Sequence, residues 1–150
     1  KEIKKGDFQD YDIWREFNYK ALKHIQSEYN GTIIIPMTIV NPQYYEEIIV
    51  RLKDEGVDVQ HFVLGASKET LEKRLKSRFE KKNSWPEQQI DRCLEGFTHP
   101  VFEGPIDTND LTTEQVVETI ASTLHIQLLP DERSELQKIW NRFVMRIRKI

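Results

Sequence analysis

The chain has 150 residues, 38% of them hydrophobic and 31% charged, which is enough apolar material for one buried core and too little length for two ordinary domains. Its 22 Lys and Arg residues against 25 Asp and Glu give a formal net charge of −3, excluding the strongly basic surface of a general nucleic-acid binder. No apolar run approaches the roughly 20 residues that span a bilayer, and a single cysteine excludes an internal disulfide, so a reducing, cytoplasmic setting is expected.

From Asp7 to about Tyr29, apolar residues at Ile13, Trp14, Phe17, Ala21, Leu22 and Ile25 follow the three-and-four spacing of an amphipathic helix, and Asn30-Gly31 stops it. The β-branched run Thr32-Ile33-Ile34-Ile35-Pro36-Met37 has no polar alternation and predicts a central parallel strand covered on both faces. Asn41-Pro42 opens a helix with Tyr45, Ile48, Ile49 and Leu52 on one face, closed by Gly56. Val57 to Leu64 predicts a second strand, and Ser67 caps a helix from Lys68 to about Lys82. After the polar break Lys81-Lys82-Asn83-Ser84-Trp85-Pro86 another helix runs to Gly96. A short strand precedes Asp107. Asp110 or Thr112 then caps a helix with Val116, Val117, Ile120 and Leu124 on its face, and Pro130-Asp131 begins the last helix. This order predicts an α/β fold, a parallel sheet with flanking helices joined by right-handed crossovers. Residues 1–130 form the domain, helices over about 68–97 a lid, and residues 131–150 a separate helix.

In such a sheet ligands sit at the carboxyl ends of the strands. Met37, Thr38 and Asn41 follow the first strand, Gly65 and Ser67 the second, and Asp107, Thr108 and Asn109 the third. Arg74 and Arg78 stand four apart on one helix and can face a common anion, joined by Arg92, or they can pair with Glu69, Glu72 or Glu95 on solvated faces. The four histidines lack metal-ligand spacing, and Cys93 reads as a packing residue. The last helix sets Leu136, Ile139, Trp140, Phe143, Ile147 and Ile150 against Lys138, Arg142, Arg146 and Lys149. This basic amphipathic pattern suits an anionic membrane surface, or packing on the domain.

The segments Ile33-Ile34-Ile35-Pro36-Met37-Thr38-Ile39-Val40, His61 to Leu75, Lys82-Asn83-Ser84-Trp85 and Gln89-Ile90-Asp91-Arg92-Cys93 resemble, in order, the tunicamycin-resistance ATP-binding family. The resemblance covers Asp7 to at least Leu124. It implies a P-loop NTPase fold of the nucleotide and shikimate kinase type, ATP and Mg²⁺ as cofactors, and a nucleotide plus tunicamycin or a similar small molecule as partners. It also implies that Arg74, Arg78 and Arg92 close over phosphates, that Asp107 and Thr108 border the nucleotide base, and that Arg15 and Asn41 lie at the acceptor site. Two departures stand out. No Gly-x-x-x-x-Gly-Lys-[Ser/Thr] occurs, so the phosphate cradle is missing and this chain alone is expected to be inactive. Because the chain opens on lysine, a preceding segment carrying that motif is expected. Thr38 stands where such enzymes place a Mg²⁺-orienting acid, so it would hold the metal only through water. Three readings stay open: a tunicamycin-binding or tunicamycin-phosphorylating protein, a kinase of another small metabolite or nucleotide, and a non-catalytic membrane or interaction module.

Overall fold

The computed structural model describes residues 7–102 and 104–147, with the side chains of Glu135, Arg142, Met145, Arg146 and Ile147 outside the description. The chain falls into two compact units, Lys1–Val63 with Asp91–Gly104, and Leu64–Ile90 with Pro105–Ile150.

In the first unit a 3₁₀ turn, Phe8–Asp10, is held by a reciprocal capping box between Asp7 and Asp10. Helix α1, Asp12–Glu28, follows and turns Tyr19 inward with Trp14 and Leu22. Helix α2 is continuous through Pro42–Tyr45, Glu46–Val50 and Arg51–Asp54, its middle segment wound as π-helix. Asn41 caps it by accepting from the Gln43 N–H at 2.9 Å, with Pro42 in the first turn, where a missing N–H costs nothing. At its far end Gly56 adopts φ +83°, its N–H bonds the Lys53 carbonyl at 2.9 Å, and the Val57 N–H bonds Leu52 at 3.0 Å. This is a Schellman closure, which favours glycine because it needs a left-handed residue.

Ile48 and Phe102 are fully buried, joined in the core by Tyr19, Ile39, Tyr45, Leu52 and Val63. Burying a side chain of this size contributes roughly 1.5–3 kcal/mol. Phe102 meets Tyr45 and Phe97 edge-on, with ring centroids 5.5 and 5.4 Å apart. His61 packs edge-on against Tyr45 at 5.0 Å, and partial burial, then the nearby Lys53 charge, push its pKa down, which favours the neutral imidazole. At Gly96 a Cβ would meet the Val40 carbonyl oxygen at 2.6 Å, so only glycine lets that helix end approach Val40.

In the second unit β1, Leu64–Gly65, pairs in parallel with β2, Ile106–Asp107, in the register Leu64↔Ile106 and Gly65↔Asp107. Helix α3, Lys68–Ser77, is capped by the Ser67 hydroxyl, which accepts from the Thr70 N–H at 3.2 Å. Helix α4, Trp85–Gly96, begins in this unit and ends in the first. Helix α5, Thr113–Thr123, starts in a capping box between Thr112 and Gln115, and α6 spans Glu135–Ile147.

The chain is thus helix-rich α/β, with a small parallel sheet in its second unit. Two strand expectations need correction. The run Thr32–Met37 forms no ladder, and Ile34 is 87% exposed rather than covered on both faces. Of Val57 to Leu64 only Leu64 pairs. A parallel strand needs a hydrogen-bonding neighbour on each side to become central, and among the described residues no ladder partner stands beside residues 32–37 or 57–63. The last helix begins at Glu135 rather than Asp131, because Arg133 folds back on Asp131 through two side-chain bonds of 2.7 and 2.8 Å. Ser134 is then left to cap the helix.

Candidate functional site

The carboxyl ends of β1 and β2 carry a polar network of side-chain and backbone hydrogen bonds. Thr108, only 5% exposed, donates its N–H at 2.9 Å and its hydroxyl at 2.8 Å to the Gly65 carbonyl, extending the strand pair by one residue. Arg74 of α3 reaches it from the side and donates to the Thr108 hydroxyl at 3.0 Å and to the Thr108 carbonyl. The Asp107 carboxylate accepts from the Asn109 N–H at 2.9 Å and from its side-chain amide at 2.7 Å. The Asn109 side-chain oxygen in turn accepts from the Ser67 N–H at 2.8 Å, just ahead of α3. One closed set of hydrogen bonds therefore ties α3 to both strand ends. It brings together Arg74, Asp107 and Thr108 from the sequence-predicted site residues. Arg78 is exposed where α3 ends. Arg92 belongs to the first unit, where it pairs with Asp7 at 2.7 Å.

The other expected residues also lie in the first unit. Arg15, 4% exposed, donates to the Glu47 carboxylate, to the Gln9 carbonyl at 2.7 Å and to Asp12 at 2.6 Å, and lies over the Tyr44 ring at 4.3 Å. The Glu47 bond holds the Arg15 pKa above its ordinary value and Glu47 below its own. Arg51 bonds Glu16 at 2.6 Å and covers the Tyr19 ring at 3.6 Å, and it draws the Glu16 pKa down. Between α1 and α2, Asp12, Arg15, Glu16, Glu47 and Arg51, with Ile13 and Gln43, line an open furrow of about 580 Å³. Asn41 caps α2, and Thr38 is exposed while its carbonyl accepts from the Gln9 side chain at 2.6 Å.

Glu47, Gln9 and Tyr44 entered the site only with the structure. Spacing could have paired Gln43 with Glu47, four apart on one helix and bonded at 2.7 Å, but the Arg15–Glu47 bond joins two helices and leaves no mark in the sequence.

The described residues do not by themselves fit Mg²⁺ or an ATP triphosphate. Among them no group of three His, Cys, Asp or Glu could hold a metal, and Arg74 is engaged by Thr108. Cys93 is half-buried with its thiol pKa raised by that burial, in keeping with a packing role. No helix among the described residues is long and apolar enough to cross a membrane. Helix α6 shows Leu136, Ile139, Trp140 and Phe143 between 50% and 78% exposed. The side chains of Arg142, Arg146 and Ile147, and all of Arg148, Lys149 and Ile150, lie outside the described residues.

No protein-family model and no curated protein matches the chain. Among solved structures it is similar to the tunicamycin resistance protein of Deinococcus radiodurans, at 29% sequence identity and a TM-score of 0.69, covering 84% of this chain and 73% of that one.

Proposed function

We propose, from this likeness, that the chain is part of a P-loop kinase-like protein that confers resistance to tunicamycin by binding the antibiotic or by phosphorylating it with ATP. The likeness to a tunicamycin resistance protein is the observation that carries the reading. The network at the ends of β1 and β2 supports it, since ligands of open α/β sheets bind at the carboxyl ends of strands. Asp107 and Thr108 would border the nucleotide base there, with the exposed Arg78 of the same unit available to its phosphates. ATP and Mg²⁺ enter the proposal only together with a phosphate-binding strand and loop from outside these 150 residues, because no Gly-x-x-x-x-Gly-Lys-[Ser/Thr] occurs among them. The unladdered run at Ile33 to Ile35 is where such a strand would pair. The protein would work in the cytoplasm, where α6 offers a contact to the membrane surface.

The test is growth of a tunicamycin-sensitive bacterial host that expresses the intact protein. The expected result is growth at antibiotic concentrations that stop a host carrying the empty vector. Equal inhibition of both hosts at verified expression would refute the reading. Transfer of labelled phosphate from ATP to tunicamycin by the purified intact protein then separates phosphorylation from sequestration.

A further inference from the structure

The turn between α3 and α4 holds a bulky residue where the backbone favours glycine. At the end of α3 the Phe79 N–H bonds the Lys76 carbonyl at 3.0 Å, the Glu80 N–H bonds the Leu75 carbonyl at 3.3 Å, and Phe79 itself sits at φ 59°. This is the left-handed closure that Gly56 makes on α2, and a large side chain is strained there. Packing does not offset the strain, since Phe79 is 82% exposed. Further along the turn, Trp85 is 53% exposed at the start of α4. Two large rings thus face outward from one short stretch, and the Phe79 ring does so at a cost to the fold.

A second observation is the charge around these rings. Lys76, Arg78, Lys81 and Lys82 are all exposed, and none of the four forms an ion pair among the described residues. Of the two acids in the stretch, Glu80 is exposed and Glu87 is turned back onto the Asn83 N–H. Residues 76–87 therefore carry four basic side chains against two acidic ones, in a chain whose net charge is −3. Every residue from Lys76 to Asn83 is exposed, so the turn stands out from the surface and cannot enclose a small ligand, which needs a concave site. A negatively charged bilayer suits such a protrusion, because its interface takes up aromatic rings at the level of the headgroups while its surface attracts lysines.

We propose that the α3–α4 turn is a membrane contact: Phe79 and Trp85 enter the interface of an anionic bilayer, and Lys76, Lys81 and Lys82 lie against its headgroups. It is a second contact besides α6, within the same unit of the chain. Each contact alone is a weak anchor, and together they hold because the second engages at the high effective concentration that the first creates. The proposal does not depend on the antibiotic reading.

The experiment measures partition of the intact protein onto phosphatidylcholine vesicles with and without phosphatidylserine. Phe79→Gly removes the ring and suits the left-handed backbone, so the thermal midpoint should hold or rise while partition onto the anionic vesicles falls about tenfold or more. The pair Lys81→Gln, Lys82→Gln should lower that partition by at least about fivefold, the worth of one basic residue near the surface, and make it less sensitive to salt. Both variants leave α6 untouched. With Trp14→Phe and Trp140→Phe, Trp85 is the sole tryptophan of the three, and its emission should shift to the blue on anionic vesicles and be quenched by brominated lipid. Unchanged partition of Phe79→Gly, or Trp85 emission that stays put on vesicles that bind the protein, would overturn the turn as a contact and leave α6 standing. A thermal midpoint lowered by Phe79→Gly would also overturn it, because the ring would then serve the fold. Failure of the intact protein to partition onto anionic vesicles would overturn both contacts.

Discussion

Arg74 and Arg78 have the same charge and stand one helical turn apart, yet they meet different surroundings. Helix α3 stops at Ser77, and Arg78 has left helical geometry at φ −95°, ψ 9°, so the shared face expected from their spacing ends between them. Arg74 ties α3 to the hydroxyl and carbonyl of Thr108, whose burial leaves no water to replace a lost partner. Arg74→Ala should therefore lower unfolding stability by roughly 1.5–3 kcal/mol, the usual worth of hydrogen bonds to a charged group, whereas Arg78→Ala should stay within about 0.5 kcal/mol. Urea unfolding midpoints at unchanged slope measure both. If Arg74→Ala proves as silent as Arg78→Ala, the guanidinium does not hold this junction. The sequence names both arginines, but which one faces a buried carbonyl depends on where the helix ends and on a strand more than thirty residues away.

Among the elements, helices were more legible than strands, because helix signals are local. Ser67, Asn41-Pro42, Thr112 and Gly56 each end or begin a helix where their side-chain chemistry or backbone freedom predicts. The Ile33–Ile35 run signals a strand just as strongly, but a ladder is a property of two segments, and the partner is not among the described residues. Helix α6 raises a different question, since its exposed Leu136, Ile139, Trp140 and Phe143 form an apolar face on a helix rich in Lys and Arg. Attachment to anionic lipid is expected, at about 1 kcal/mol per basic residue near the surface. Co-sedimentation of the intact protein with anionic vesicles should exceed that with neutral vesicles, weaken with salt, and disappear when residues after Pro130 are removed. Equal sedimentation with both lipids and both proteins would reduce α6 to ordinary packing.

At the scale of the whole molecule, each unit has its own source of cohesion. The first unit draws its cohesion from the Ile48–Phe102 core, and the second from a two-residue strand pair reinforced at Thr108 and Asn109. Residues 33–37 and 58–62, which the sequence assigns to strands, lie outside any ladder. Their amides should exchange with solvent far faster than those of residues 48–52 in α2, because unladdered backbone opens without breaking a cooperative unit. Hydrogen exchange followed residue by residue checks this in the present chain. Protection over residues 33–37 equal to that in α2 would mean that the run is paired after all.

The π-wound stretch of α2 has a consequence for the alignment of its polar side chains. On a regular α-helix a strict four-residue repeat drifts by roughly 40° at each step, since each residue advances about 100°. Gln43, Glu47 and Arg51 follow such a repeat, and would wander off one face within two steps. Because turns over Glu46–Val50 close one residue later, that angular slippage is absorbed, and the three side chains keep a common heading along α1. The wider winding thus acts as a phase correction, keeping Glu47 opposite Arg15 while Arg51 still reaches Glu16.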